Sequence, residues 1–282
     1  MDWVRRQPNV VIETAAFDDR GGWNVKPSLL VRLLEQGLPA VIWIDSDIII
    51  TRPISGCFSG PGAHVLNVAP EAFFAHGLGS AARARDWGIQ PVRAFPLGVN
   101  TSVVRVTREH LPLLQRWGEM LTDPAYLSAQ QMPFSRRSPG FAGDQDVLVA
   151  LLSGPDFADI EVRSLRLGRD IAQCFFADGF GPIDRLAHIG RLPPFVHAQG
   201  PKPWREDRHK EIYLELSPYR YAAMRYREHL SGDEAQWLVG RSPAAVALHW
   251  IGLGDASLAG LLPAIVKRAR RMYRRSRPKV AQ

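Results

Sequence analysis

The chain has 282 residues, 46% of them apolar, and a formal net charge of +7. That is enough chain for a sizeable core in one large or two small domains, and no stretch reaches the roughly 18 apolar residues of a spanning helix. The charge is local: Lys267 to Lys279 holds eight Lys and Arg and no acid, and without them the sum falls from +7 to −1, which excludes a nucleic-acid-binding face spread over the body.

Cys57 and Cys174 lie far apart with no CxxC spacing. They argue against a disulfide framework or a zinc site and fit a reducing compartment. The start, MDWVRRQPNV, lacks the apolar block of a signal peptide, so a soluble, cytoplasmic protein is expected.

In chain order, "NVVIET" (9–14) reads as a strand. "KPSLLVRLLEQG" (26–37) reads as a helix: Leu29, Leu30, Leu33 and Leu34 recur at helical spacing, Pro27 suits the first turn and Gly37 the C-terminal cap. "VIWIDSDIII" (41–50) reads as one central strand, apolar enough to be buried on both faces. "HVLNVA" (64–69) and "LGVNTSVVRV" (97–106) are further strands. A helix follows Thr107, with Leu111, Leu114 and Trp117 on its apolar face. "GDQDVLVALLSG" (143–154) is a helix and "PPFVHAQG" (193–200) a short strand running into a loop. Ser217-Pro218 starts another helix, and helices are expected through much of 207–273. The expectation is an α/β fold with a mixed, mostly parallel sheet flanked by helices. It divides into a domain at 1–206 and a helical C-terminal extension at 207–282.

Two acids inside the apolar run are the strongest chemical signal. In extended backbone, residues i and i+2 point to one side, so Asp45 and Asp47 converge. Two such acids repel unless a cation neutralises them, and Mg²⁺ or Mn²⁺ suits oxygen coordination beside a phosphate. The alternative is a strand end turning into solvent with two hydrated acids. "HAQGPKPW" (197–204) supplies the complement. His197 can ligate a borderline metal, Gly200 allows close backbone approach, and Lys202 offers a point charge for phosphate. Pro201 and Pro203 stiffen that loop and Trp204 anchors it. The alternative is a rigid turn with an exposed lysine. Together the set reads as a metal–diphosphate site. His76, His110, His188 and His249 show no ligand spacing and read as structural.

An apolar strand ending in D-x-D, followed by a later H-x-x-G and K-P-W, resembles the GT-A-fold glycosyltransferases, nearest to family eight, the glycogenin and lipopolysaccharide galactosyltransferase-like branch. Three segments extend the resemblance over roughly 23–204. "WNVKPSLLVRLL" (23–34) is similar to the helix whose lysine reaches the donor, matched by Lys26. "LGVNTSVVRVTR" (97–108) is similar to the strand with an Asn-(small)-Gly core, matched by Asn100, with Ser102 in place of the glycine. "GDQDVLVALL" (143–152) is similar to the D-Q-D helix start that contacts the transferred sugar, matched by Asp144 and Gln145. The lysine loop is one residue shorter than the family's, and the 44 residues ahead of Asp45 are fewer than usual. The nucleotide-binding part is therefore expected to be short at the N-terminus.

The resemblance implies a metal-dependent hexosyltransferase that retains anomeric configuration. Its donor would be a nucleoside-diphosphate sugar, a UDP-sugar first among them, and its acceptor a glycan or glycolipid hydroxyl in bacterial-type polysaccharide, lipopolysaccharide or glycolipid synthesis. Asp45, Asp47 and His197 would hold Mn²⁺ or Mg²⁺. Lys26, Lys202 and Gly200 would meet the donor, and Asp144, Gln145 and Asn100 the sugar. Two other functions compete: a nucleotidyltransferase, and a domain of this kind without activity serving as a scaffold. "LLPAIVKRARRMYRRSRPK" (261–279) joins apolar to basic residues and suits peripheral contact with the anionic inner face of a membrane. Specific nucleic-acid binding is not expected.

Overall fold

The computed structural model describes residues 2–13, 22–60, 62–71, 78–95, 98–174, 180–188, 191–199, 202, 218–224 and 226–230, with positions 232, 238, 265, 266 and 269 beyond them. The described strands are β1 Ala40–Ile44, β2 Ile48–Ile50, β3 Val65–Glu71, β4 Gly98–Thr107, β5 Glu161–Ser164, β6 Ile171–Gln173 and β7 Phe195–His197. The α-helices whose bounds are described are α1 Asp2–Arg5, α2 Lys26–Glu35, α3 Leu78–Asp86, α4 Leu111–Met120, α5 Pro124–Gln130, α6 Asp144–Ser153, α7 Pro182–Ala187 and α8 Pro218–Met224.

Helix α2 begins where Pro27 can sit without losing a ladder bond and buries Leu30 and Leu34, one turn apart. It stops at Gly37, whose φ of +103° admits the left-handed turn that lets its N–H reach Leu34 O at 3.1 Å. Helix α6 is apolar all round from Val147 to Leu152 and is correspondingly buried all round. With Leu113, Leu114 and Trp117 of α4, these helices cover one face of a four-stranded sheet in the order β1-β4-β3-β5. Each fully buried leucine there contributes about 1.5–3 kcal/mol.

Alternation along the strands splits their side chains between two cores. Leu66, Val68, Val104 and Val106 face the helices; Ala69 and Val103 face Ile171 and Phe195 of the second sheet. That sheet has the order β2-β7-β6, and Ala222 of α8 packs with Val196 of β7 on it.

The mixed α/β architecture with flanking helices agrees with the sequence. Antiparallel pairings are more numerous than a mostly parallel sheet would have: β1–β4, β3–β4 and β2–β7 are antiparallel, β3–β5 and β6–β7 parallel. The single strand expected over 41–50 is two strands in two sheets, parted at Asp45–Asp47. Nor is it central or buried on both faces. Its first half, β1, lies at the sheet edge among the described residues, with Ile42 36% exposed. No strand forms over described residues 9–13, where Val11 is 90% exposed and so has nothing to pack on. Of the helical region expected after 207, α8 starts at Pro218 as foreseen; most of 207–282, and the boundary at 206, lie outside the described residues. No helix among the described residues is long and apolar enough to cross a membrane.

Candidate metal and donor site

The site is built on the turn between β1 and β2. Ile48 N–H closes it onto Asp45 O at 3.1 Å, so Asp45 and Asp47 leave the apolar run through a turn rather than along a strand. Two flanking strands hold it. Ile44 pairs with Val103 of β4, and Asp45 N–H donates to Ser102 O at 2.8 Å. On the other side Ile48 pairs with His197 of β7, and Ala198 N–H donates to Asp47 O at 3.0 Å. The β2–β7 register is therefore what brings a histidine remote in sequence beside Asp47.

A bulge completes the frame. Val104 of β4 stands opposite Val68 of β3, but the next pair is Asn100 with Ala69, so 101–103 have no partner on β3. Bulges re-aim side chains, and here the Thr101 hydroxyl meets both Lys26 Nζ, at 3.1 Å, and Asp144 Oδ2, at 2.8 Å.

The charges fall into two linked groups. In the first, Lys26, 4% exposed, reaches Asp45 Oδ1 at 3.1 Å and Asp144 Oδ2 at 3.2 Å. Trp43 Nε1 donates to Asp45 Oδ1 at 2.6 Å. Burial pushes the Asp144 carboxyl up, against the Lys26 ammonium and the Thr101 hydroxyl, which pull it down. In the second, His197 Nε2 lies 3.4 Å from Asp47 Oδ2, and the Lys202 ammonium donates to the same oxygen. Burial would raise the Asp47 carboxyl, but the hydrogen bonds and charges of His197 and Lys202 outweigh it and hold it well below the usual carboxylate range.

Asp45, Asp47 and His197 each offer a donor atom, and the three lie within 4.8 Å of one another. Two carboxylates and an imidazole suit Mn²⁺ or Mg²⁺. His197 Nε2 is the ring nitrogen beside Asp47 Oδ2, and its Nδ1 is buried with no hydrogen-bond partner among the described residues. The donor set therefore fits a divalent cation.

Of the residues expected at the site, Lys26, Asp45 and Asp144 form one contact group, and Asp47, His197 and Lys202 the other. Asn100 and Gln145 meet each other, Nδ2 to Oε1, at 2.9 Å. Gly200, Pro201, Pro203 and Trp204 lie outside the described residues. Sequence reasoning missed Thr101, Gln199 and Glu71. The first two sit inside motifs singled out for Asn100 and His197. Glu71 ends an apolar strand with no motif around it. Two of the unassigned histidines make local contacts: His110 Nδ1 accepts from Thr107 N–H at 3.1 Å, and His188 Nδ1 lies 2.8 Å from Asp184 O.

No family model and no curated protein matches this chain. Two solved structures are similar to it. One is a glycosyltransferase involved in the glycosylation of the major capsid of PBCV-1, 13% identical over 76% of this chain and 81% of that one, with a TM-score of 0.41. The other is mouse xyloside xylosyltransferase 1 in its apo form, 18% identical over 62% of this chain and 63% of that one, with a TM-score of 0.35.

Proposed function

We propose that the protein is a metal-dependent glycosyltransferase with a GT-A-like catalytic domain, moving a hexose from a nucleoside-diphosphate sugar to an acceptor hydroxyl. The observation that carries this reading is the convergence of Asp45, Asp47 and His197 within 4.8 Å between two lysines. Few chemistries need a cation site and two ammonium groups in one place; a departing diphosphate needs both.

Breaking the anomeric bond builds negative charge on the diphosphate and positive character on the sugar. Asp45, Asp47 and His197 would hold a divalent ion, which would supply Lewis acidity to that leaving group. Lys202 and Lys26 add fixed positive charge on either side of the turn. Asp144, held by Lys26 and Thr101, faces the same space and orients sugar hydroxyls, with Gln145 and Asn100 beside it. A UDP-sugar is the donor to try first, with retention of configuration at the transferred sugar. The acceptor is a glycan or glycolipid of bacterial-type polysaccharide or lipopolysaccharide synthesis. The basic segment 261–279 would bring the protein to the cytoplasmic membrane face where such acceptors lie.

Calorimetry with UDP and GDP, with and without Mn²⁺, tests the reading. Metal-dependent nucleotide binding is expected, lost in Asp45→Ala and in Asp47→Ala. No nucleotide binding with metal present would overturn transfer and favour a scaffold domain; binding that survives both substitutions would overturn the site.

A further inference from the structure

Glu71 ends β3 and is 2% exposed. Its carboxylate accepts hydrogen bonds from three side-chain amides on three separate segments. Asn100 of β4 donates to Oε2 at 3.0 Å, and Gln145 of α6 donates to the same oxygen at 3.1 Å. Gln199, just past β7, donates to Oε1 at 2.7 Å and to Oε2 at 2.8 Å. Asn100 in turn donates to Gln145 Oε1 and accepts from Ser102 N–H at 2.9 Å, which places it on the bulge.

An ionised carboxylate only accepts, so it dictates which end of each carboxamide turns toward it. The NH₂ groups of Asn100, Gln145 and Gln199 face Glu71; Ser102 N–H takes the Asn100 oxygen and Asn100 Nδ2 the Gln145 oxygen, which leaves that of Gln199. Gln145 adjoins Asp144 in the Lys26 group, and Gln199 lies on the backbone that carries His197. Glu71 thus links the two halves of the site. Gln199 Oε1 is buried and lacks a hydrogen-bond partner among the described residues. An oxygen held in that state by its own amide end is set for a donor that the described residues do not supply.

We infer that Glu71 is a positioning residue of the transfer site. It fixes the carboxamides of Gln145 and Gln199, leaves the Gln199 oxygen to accept from a sugar hydroxyl, and locks the start of α6 to the end of β7. This rests on the glycosyl-transfer reading. The competing view is a structural carboxylate that only closes the end of the sheet.

Glu71→Gln keeps the size of the side chain but turns one acceptor into a donor facing other donors. Transfer is expected to lose about 10- to 100-fold in kcat, as substitutions behind a ligand shell do, with KM for the donor and Mn²⁺-UDP affinity held within about twofold. Because Glu71 acts through Gln145 and Gln199, adding Glu71→Gln to the Gln145→Ala/Gln199→Ala double variant is expected to cost little more than that double variant alone. Fully additive losses, or a loss accounted for by a smaller folded fraction, would overturn the assignment. Hydrogen exchange on the full chain gives a readout free of activity. Glu71→Gln should speed exchange at 143–150 and 195–199 and leave 111–120 unchanged; unchanged exchange at the first two overturns the linkage. Faster exchange in a chain that transfers no sugar keeps the linkage and rejects the glycosyl-transfer reading instead.

Discussion

The Lys202 ammonium donates to the Asp47 carboxylate and, at 3.0 Å, to the Ala198 carbonyl. A cation from the protein's own chain thus stands on one of the carboxylates that would bind metal. Lys26 stands on the other, Asp45, at 3.1 Å. Lys202 therefore has two opposed effects. Without nucleotide it competes with a divalent ion for Asp47; with nucleotide it can turn to the diphosphate. Lys202→Met should tighten Mn²⁺ binding in the absence of nucleotide by about tenfold, ~1.4 kcal/mol, and weaken the joint binding of Mn²⁺ and UDP. Calorimetry with and without UDP reads both signs. The same direction of change in both titrations would reject the exchange.

The Asp47 carboxyl titrates below the usual range because His197 and Lys202 outweigh its burial. An acid whose folded value is depressed stabilises the fold above its unfolded value, about 3.9. That contribution is lost as pH falls toward the folded value, since the unfolded chain then binds more protons. The stability gap between the parent and Asp47→Asn, measured by urea unfolding with chelator present, should be present at about pH 5 and shrink below about pH 4. A gap of the same size at every pH would show that Asp47 contributes nothing through its charge.

How far the sequence discloses this site depends on how compact its signals are. Asp45, Asp47 and His197 are legible because each interrupts or ends an apolar run. Lys26 and Asp144 are legible only through resemblance, since a helix start with a lysine or an acid is ordinary. Glu71 is not legible: one acid at the end of a strand looks hydrated, and its three amide partners are spread from Asn100 to Gln199. The bulge at 101–103 is hidden because "NTSVVRV" keeps strand-like composition straight through it. The break at Asp45–Asp47 is hidden for the opposite reason, isoleucines on both sides reading as one strand although their partners, β4 and β7, belong to different sheets. Pairing partners decide such features, and local composition carries no record of them.

The C-terminal segment offers a prediction independent of the site. Ile265 and Val266, described as helical, are 46% and 40% exposed, and eight basic residues follow between Lys267 and Lys279. Apolar side chains beside a basic run bind anionic lipid, each Lys or Arg contributing about 1 kcal/mol near the surface. The full chain should sediment with phosphatidylserine vesicles at low salt and release at high salt, and a chain ending at Ala264 should stay in solution. Equal sedimentation of the two would reject a membrane role for the tail.

The start of α6, which carries Asp144 and Gln145, is pinned by a buried ion pair. Arg83 Nε of α3 donates to Asp146 Oδ1 at 2.5 Å, both side chains being 3% exposed. Burial pushes the Asp146 carboxyl up to about 6 even against Arg83. Removing one partner of such a pair strands the other, at a cost of about 3–5 kcal/mol. Arg83→Met should lose about that much stability to urea at neutral pH, and adding Asp146→Leu should restore part of it. The pH dependence separates a stranded charge from lost packing. Without Arg83 the Asp146 value rises further, so the folded state holds its proton where the unfolded state has lost it. Stability then falls as pH rises, and the Arg83→Met deficit should grow from about pH 6 to about pH 8. A deficit independent of pH would mean that Arg83 serves α6 by packing alone.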